Sequence, residues 1–234
     1  MRTIGLLGGM SWESTVPYYQ IINRCVAERL GGLHSARIVL YSVDFHDIEV
    51  LQSAGDWDRA GELLVHAAGA LERAGADFLV LCTNTMHKVV PAIEAGTDLP
   101  VLHIADATAQ VIRGAGLRRV GLLGTRFTME QGFYRDRLER QHDIEVMTPA
   151  DDDRAELHRI IYEELCLGRV NPLSRERCRG IVRELSARGA EGVILGCTEI
   201  GLLLAPQDVS VPLFDTTRIH AEAAALHALG VEGA

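Results

Sequence analysis

The sequence predicts an α/β protein built from two similar, pseudo-symmetric lobes, each with a parallel sheet flanked by helices. The first observation is that short β-branched, apolar runs alternate with longer amphipathic segments along the whole chain, which is typical of βαβ units. The second is that short sequence segments of the first half recur, with similar residues, in the second half. The third is the length of 234 residues, which suits one large α/β domain or two lobes of about a hundred residues each.

The alternation fixes the expected elements in order. We expect strands at Thr3–Leu7, Ile38–Val43, Phe78–Cys82, Val101–His103, Arg119–Leu123, Glu145–Met147, Gly192–Leu195 and Pro212–Phe214. Helices fill most of the intervals, including Asp56–Ala74, Ala105–Arg113, Ala155–Leu167 and Ser174–Ala187.

Three segments recur in the same order. The pairs are Arg2–Gly9 with Arg118–Thr125, Gly75–Thr83 with Gly189–Cys197, and Leu99–Leu102 with Val211–Phe214. Chance is the alternative, because Gly-Ala before an apolar strand is common in α/β proteins, but three matches in one order favour a duplication. Thr83 and Cys197 then occupy equivalent positions at the carboxyl ends of strands, where ligands bind in such sheets.

Composition and charge exclude several classes of protein. A formal net charge of −9 and a pI near 5.5 argue against nucleic acid as partner, because phosphate binding needs a basic face. No run of about 18 apolar residues predicts a membrane helix, and the start has no secretory signal. The five cysteines show no disulfide or zinc spacing. We therefore expect a cytoplasmic protein with reduced thiols.

A glycine turn closes the first predicted strand. Gly8, Gly9 and Met10 follow that strand, and backbone amides at such a turn can hold an anion. The spacing is not the nucleotide fingerprint G-x-G-x-x-G. Tight packing explains the glycines equally well.

Two polar corners follow equivalent strands. The first corner, residues 82–87, reads Cys-Thr-Asn-Thr-Met-His, and Asn84 and Thr85 there are candidates to hold a carboxylate, with helix capping as the alternative. The second corner, residues 196–199, reads Gly-Cys-Thr-Glu. A cysteine in a first helical turn should have a lowered pKa, so Cys197 is a candidate base. The alternative, a buried structural cysteine, suits Cys25, Cys166 and Cys178, which lie in helical patterns.

These corners resemble those of the aspartate/glutamate racemase superfamily, whose members carry a Cys-Asn-Thr corner in one half and a Gly-Cys-Thr corner in the other. The opening Gly8–Ser14 is similar to the branch of broad-specificity and L-aspartate/glutamate-specific amino-acid racemases. The resemblance implies racemisation of L-aspartate, L-glutamate or a broader set of amino acids in a cleft between the lobes, without cofactor or metal. One thiolate removes the α-proton and a second thiol returns one. It also implies a homodimer, with one lobe formed by 1–97 plus 208–234 and the other by 98–207.

The chain departs from this pattern at the first corner. Aligning Asn84 and Thr85 with the family's Asn-Thr puts Thr83, and not Cys82, at the position of the first catalytic cysteine, and the internal repeat agrees. Strand alternation should turn Cys82 to the other face. An alcohol is a far weaker acid than a thiol, by about 10 kcal/mol. We therefore expect Cys197 to be the only thiol base of the pair, with a proton returned from the Thr83 side and faster turnover of one enantiomer.

Two further departures from the family pattern concern the substrate. In aspartate-specific relatives an arginine and a lysine hold the distal carboxylate, and the matching positions here are Ile48 and Cys166. Gln52, one helical turn beyond Ile48, offers an amide instead. The candidate substrate-binding residues are Met10, Gln52, Asn84, Thr85, Thr125 and Thr198, with Thr128 and Lys88 as further donors. Capping or surface exposure explains Thr125, Thr128 and Lys88 equally well. The alternatives are a single-cysteine decarboxylase or isomerase of the superfamily, and a non-enzymatic binder of small acids.

Overall fold

The computed structural model describes residues 1–231, and the chain divides into two compact units. The first unit comprises Met1–Ile104 and the chain from His220 onward, and the second comprises Ala105–Ile219. The boundaries lie downstream of those that the sequence suggested, 97/98 and 207/208. Strand pairing explains the difference, because Val101 forms a parallel bridge to Leu79 in the first unit, whereas the segment around 213–215 joins the sheet of the second.

Helices and strands alternate along the described chain. In order they are β1 (Ile4–Gly8), α1 (Trp12–Leu30), β2 (Ile38–Ser42), α2 (Phe45–Ala54), α3 (Trp57–Arg73), β3 (Phe78–Leu81), a 3-10 turn (Thr85–Val89), α4 (Val90–Gly96), α5 (Ile104–Gly114), β4 (Arg119–Gly124), α6 (Arg126–Glu130), α7 (Gly132–His142), β5 (Glu145–Met147), α8 (Asp151–Glu163), a 3-10 turn (Leu165–Leu167), α9 (Pro172–Ala187), β6 (Gly192–Gly196), α10 (Ile200–Leu203), a 3-10 turn (Pro206–Asp208), β7 (Leu213–Asp215) and α11 (Thr216–Leu229).

The sheet of the first unit is parallel, with strand order β2-β1-β3. Residues of β1 and β3 alternate between its two faces. One face packs on α1 and α11; its core residues are Ile4, Leu6, Phe78, Val80, Cys82, Tyr18, Ile22, Val26, Ala221, Ala224, Ala225 and Ala228. The other face packs on α2, α3 and α4; its core includes Leu7, Leu79, Leu81, Ile48, Leu64, Leu71 and Ile93. A parallel sheet covered on both faces accounts for the nearly continuous apolar strands.

The sheet of the second unit is also parallel, with order β5-β4-β6-β7. Its core on one face joins these strands to α8, α9 and α10, and includes Leu123, Val193, Leu195, Leu157, Ile160, Ile181, Leu185 and Leu203. Val120, Leu122 and Ile194, which alternate with these strand residues, are also fully buried. The expected α/β class with two parallel sheets is confirmed.

Two expected elements differ in detail. The strand expected at Val101–His103 is reduced to the single bridge at Val101. The helix expected to reach Leu167 ends at Glu163, and a separate 3-10 turn carries Cys166. No helix within residues 1–231 is both long and apolar enough to span a bilayer.

Candidate active site

The first corner lies at the carboxyl edge of the first sheet, beside the end of β1. The Cys82 amide donates to the Leu7 carbonyl at 2.9 Å, so the chain after β3 stays against β1 for one residue beyond the strand. The Gly8–Met10 turn and the first corner therefore leave the sheet from neighbouring strands at the same edge.

The side chains of Cys82 and Thr83 have different environments. Cys82 is fully buried among the core residues that pack on α1 and α11, and its thiol points to the carbonyl of Val80 at 3.9 Å. Burial raises its pKa far above the ordinary value. Thr83 retains 8% exposure and is not part of that core. Cys82 is thus a protonated core thiol, as strand alternation predicts.

A buried histidine fixes the backbone of Thr83. The backbone amide of Ile104 donates to His87 Nε2 at 3.2 Å, so Nδ1 carries the ring proton and donates to the Thr83 carbonyl at 2.8 Å. The His87 ring lies edge-on to those of His103 and His220, with centroids 4.5 Å and 5.8 Å away. The exit from β3 is therefore held rigidly at Thr83.

The glycine turn is closed by hydrogen bonds within the chain. Gly9 has a φ of +89°, and a side chain there would collide with the backbone of Val43, so only glycine fits. Its amide donates to Thr15 Oγ1 at 2.9 Å, and that hydroxyl donates to the Ser11 carbonyl at 3.0 Å. The Gly9 amide, one of those considered for an anion, is thus occupied by Thr15.

The remaining candidates of the first unit are buried around the first corner. Met10, Gln52, Asn84 and Thr85 are each at most 6% exposed. Gln52 reaches the corner directly, since its amide donates to the sulfur of Met86 at 2.9 Å.

Two other positions considered in the sequence pack against neighbouring apolar or aromatic groups. Ile48 is fully buried in the core of the first unit. The ammonium of Lys88 lies 3.7 Å from the ring centroid of Trp57, where the aromatic face stabilises the cation.

The second corner lies at the carboxyl edge of the second sheet. Gly124 pairs with Gly196 in the last register position of β4 and β6, so Thr125 and Cys197 leave adjacent strands side by side. Thr125 caps α6, with Oγ1 accepting from the Thr128 amide at 3.3 Å.

Cys197 is hydrogen-bonded to a buried carboxylate. Its thiol donates to Glu199 Oε2 at 3.0 Å, and the Thr198 hydroxyl donates to the same oxygen at 2.5 Å. The thiol of Cys166 lies 4.0 Å from the other oxygen, Oε1. Glu199 is only 5% exposed and Cys197 8%.

The expectation of a lowered pKa for Cys197 is wrong. Burial, and then the negative charge of Glu199, raise the pKa of this thiol well above its ordinary value. The helix that follows begins only at Ile200 and has four residues, so the helix terminus invoked from the sequence does not include Cys197. Burial and Glu199 also raise the pKa of Cys166 to about 12.

Sequence reasoning missed two residues at this edge. Glu199 is part of the corner in the sequence, but no sequence pattern indicates that its side chain turns back to the thiol. Thr217, two residues beyond β7, is 4% exposed, and no described residue hydrogen-bonds its buried Oγ1. Its signal was weak, namely a hydroxyl just after a strand end. Within residues 1–231 no group of three or more metal-ligating side chains comes together.

Comparison with known proteins places these corners in a family context. A profile described as Asp/Glu/hydantoin racemase matches residues 7–224. The broad specificity amino-acid racemase RacX of Bacillus subtilis (strain 168) is 24% identical over 224 residues, covering 92% of each chain.

Solved structures agree with the profile. A proposed Asp/Glu racemase from Yersinia pestis is 61% identical, with a TM-score of 0.92 over 98% of this chain and all of that one. An aspartate racemase homologue from Pyrococcus horikoshii OT3 is 37% identical, with a TM-score of 0.84 over 98% of this chain and all of that one. The profile alone spans most of the described residues. The chain therefore belongs to the Asp/Glu/hydantoin racemase family.

Proposed function

We propose that this chain is a cofactor-independent amino-acid racemase in which Cys197 removes the α-proton and the Thr83 side returns one. The observation that carries the proposal is the equivalence of the two residues. Each follows the third strand of its half of the internal repeat, β3 or β6, and each keeps 8% exposure in an otherwise buried corner. The racemase names of the relatives support the reaction class.

The chemistry requires a base and nearby donors. An α-proton beside a carboxylate is very weakly acidic, so hydrogen-bond donors must stabilise the negative charge that develops on the substrate. Asn84 and Thr85 supply an amide and a hydroxyl beside Thr83. Thr125 and Thr198 supply hydroxyls beside Cys197. We propose that these groups bind the substrate carboxylate and ammonium.

The pair of Thr83 and Cys197 makes the two directions unequal in rate. A thiol is a far stronger acid than a threonine hydroxyl, so Thr83 acts by donating a proton or by holding a water that does. Deprotonation by Cys197 is then fast for one enantiomer, which by resemblance to the family is the L form. The overall equilibrium constant remains near one, so only the initial rates differ.

The residues around the site favour relaxed selection of the substrate side chain. Ile48 and Cys166 stand where aspartate-specific relatives have cations, and Gln52 is the polar group that reaches the first corner. An amide binds an acidic or a neutral side chain. We infer a substrate class of aspartate, glutamate and neutral amino acids. From the resemblance to the family we also infer a cytoplasmic homodimer. Sedimentation velocity tests the homodimer by measuring the mass of the protein in solution.

Deuterium uptake at the α-carbon tests the reaction. Each enantiomer of aspartate, glutamate and alanine is incubated with the enzyme in D₂O, and loss of the α-proton signal is followed by NMR. We expect faster exchange from the L enantiomers, no exchange with Cys197→Ala, and a faster D-to-L direction with Thr83→Cys. Comparable initial rates from both enantiomers, or full activity of Cys197→Ala, contradict the proposal.

The alternatives give different results in the same assay. A decarboxylase releases carbon dioxide and consumes the substrate. A binding protein is stabilised thermally by aspartate or glutamate without any exchange. Loss of activity in a folded Cys82→Ala variant would mean that the positions of Cys82 and Thr83 are assigned in the wrong register.

A further inference from the structure

We propose that His87 is a positioning residue of the reaction, and that it holds Thr83 in the orientation from which a proton is returned to the substrate. The inference rests on the proposed role of Thr83 and deepens it. It makes His87 a determinant of which fate the deprotonated substrate meets, inversion or return to the starting enantiomer.

The His87 ring connects two backbone segments of the first unit. Nδ1 donates to the Thr83 carbonyl at 2.8 Å, and Nε2 accepts from the Ile104 amide at 3.2 Å. A neutral imidazole has one donor and one acceptor on a rigid ring, so these two bonds use the whole hydrogen-bonding capacity of His87. The first corner is thereby tied to the first residue of α5.

The ring itself has little freedom to move. His87 is only 2% exposed, and its ring lies edge-on to those of His103 and His220. His220 Nε2 donates to the Leu102 carbonyl at 2.7 Å, so the segment that leads into α5 is held as well. The anchor that the ring provides for the first corner is therefore itself fixed.

The internal repeat indicates that the fold alone does not require this bridge. The residue equivalent to His87 in the second half is Gly201, which has no side chain to form one. There the carbonyl of Cys197, the residue equivalent to Thr83, accepts from the backbone amide of Ile200 at 3.1 Å. A partner for this carbonyl therefore does not need an imidazole, whose burial costs free energy unless both ring nitrogens are hydrogen-bonded. The imidazole occurs in the half whose strand end carries the hydroxyl.

The chemistry explains why a hydroxyl needs a fixed position. An alcohol is a far weaker acid than a thiol, so it gives up a proton only to a centre that lies in line with its O–H bond at hydrogen-bond distance. A displacement of about 1 Å can slow such a step about 100-fold. Because threonine is β-branched, its side-chain direction follows its backbone closely, and the bond from His87 fixes the backbone of Thr83.

The steps that His87 influences are proton transfers alone. After the Cys197 thiolate has taken the α-proton, the C–H electron pair remains on the substrate carbon. A proton from Thr83, or from a water that it holds, forms a C–H bond on the other face of that carbon and gives the opposite enantiomer. The proton on Cys197 then passes through solvent to the Thr83 side, which restores both groups. A proton returned from Cys197 instead restores the starting enantiomer, and His87 exchanges no proton in either case.

The test separates inversion from exchange with retention. L-aspartate and L-glutamate are incubated with each protein in D₂O. Chiral chromatography with mass spectrometry then measures the initial rate at which the D enantiomer forms and the initial rate at which the remaining L enantiomer gains α-deuterium. The ratio of these rates reports on the fate of one intermediate, so it does not depend on how much of the protein is folded. A purely structural role of His87 predicts that both rates fall while their ratio stays as in the wild type.

Two substitutions of His87 each keep one of its hydrogen bonds. Asparagine places its amide nitrogen near the position of Nδ1 and can donate to Thr83, whereas glutamine places its oxygen near Nε2 and can accept from Ile104. We expect His87→Gln to lower the ratio of D product to deuterated L substrate about tenfold or more, and His87→Asn to keep it within about threefold of the wild type. An unchanged ratio in His87→Gln, or an equal fall in both variants, overturns the proposal.

Tyr18→Phe is the matched control. The Tyr18 hydroxyl hydrogen-bonds His220 Nδ1 at 2.9 Å in the core of the same unit, so its removal should destabilise the protein while the bond to Thr83 remains. We expect a lower melting temperature and a ratio as in the wild type. A ratio that falls in Tyr18→Phe as far as in His87→Gln would mean that any weakening of this core moves it, and would overturn the positioning role.

Two further results keep the inference separate from folding and from the reaction itself. If His87→Gln does not fold, His87→Leu, which fills the buried space without polar atoms, should lower the ratio in the same way, and a wild-type ratio in that variant overturns the proposal. Exchange by the wild type that disappears in Cys197→Ala supports the proposed base independently of His87. Absence of exchange in the wild type overturns the proposed function and this inference together.

Discussion

Burial raises the pKa of several thiols of this chain, and these thiols differ in the groups that they contact. Burial raises the pKa of Cys82, Cys178 and Cys197 alike. The Cys82 thiol points to the backbone carbonyl of Val80, whereas the Cys197 thiol donates to Glu199 Oε2.

The raised pKa of a purely structural thiol predicts how stability changes with pH. Burial, followed by the charges of Glu156 and Glu164, raises the pKa of Cys178 to about 12 in the folded state, from an ordinary value near 9. Because the folded value is the higher one, the contribution to stability is fully present below pH 9 and is lost as the pH rises towards 12. In that window the unfolded chain gains about 1.4 kcal/mol per pH unit from ionising this thiol.

Cys178→Ala removes this dependence. The variant should be less stable than the wild type at pH 7, since packing is lost, and the gap should narrow by about 1.4 kcal/mol per pH unit between roughly pH 9.5 and 11.5. Urea denaturation of both proteins at several pH values measures the free energy of unfolding. A gap that stays constant with pH would mean that Cys178 ionises equally in the folded and unfolded chains.

At the same scale, part of the site followed from the sequence and part did not. Strand alternation placed Cys82 in the core and left Thr83 at the corner, because the period of a strand is two residues. The contact between Glu199 and Cys197 depends on side-chain rotamers after a strand end, which no sequence period determines. The expectation of a lowered pKa for Cys197 failed because it assumed that a helix begins at that residue, whereas the helix begins at Ile200.

Among the elements, β1 can pack closely against the residues around β3 only because a small residue lies in the middle of β1. Gly5 pairs with Leu79, and a Cβ on it would lie 2.9 Å from the Cβ of Ala76 and 3.1 Å from the Phe78 carbonyl oxygen. Both obstacles are rigid. The position that repeats it, Gly121, would place a Cβ 2.9 Å from Leu185 Cδ1. Each half therefore uses glycine for packing at the same place.

Gly5→Ala should lower the free energy of unfolding by about 1–3 kcal/mol, because an added methyl in a filled core forces backbone shifts. Gly69→Ala in α3 is the matched control. Its new Cβ would meet only the mobile head of Arg73, so the higher helix propensity of alanine should stabilise the protein by up to about 1 kcal/mol. Urea denaturation measures both changes, and a neutral Gly5→Ala would show that β1 and β3 can separate without cost.

The elements themselves were largely predictable, and their ends were not. The apolar runs predicted the ends of β1 to β7 within one or two residues, because strands of a buried parallel sheet read as short, nearly continuous apolar runs. The end of α8 was missed by four residues, because the apolar period continues through Leu165 and Leu167 in a 3-10 turn. Hydrophobic period reports which face is buried and does not by itself mark where the hydrogen-bond pattern changes.

For the whole molecule, the two units differ in how the chain builds their cores. The second unit is continuous from Ala105 to Ile219, whereas the first is completed by the chain from His220 onward. Four alanines of α11 cover the sheet face that also packs on α1; they are Ala221, Ala224, Ala225 and Ala228. The first unit therefore cannot close its core from its amino-terminal segment alone.

Separate expression of the units tests this dependence. A fragment of residues 105–219 retains its four-stranded sheet and its core, so we expect a cooperative thermal transition by circular dichroism. Residues 1–104 alone expose to water the part of this face of β1 and β3 that α11 covers, and they should show no such transition.

A permuted first unit should restore folding. The Arg2 amide donates to the Ala228 carbonyl at 2.8 Å, so the end of α11 lies beside the start of the chain and a short Gly/Ser linker can join residues 220–234 to residues 1–104. Because this order supplies the four alanines, the permuted unit should melt cooperatively where the 1–104 fragment does not. If both remain unfolded while 105–219 folds, the first unit needs the second in order to fold, and the two cores are not independent in stability.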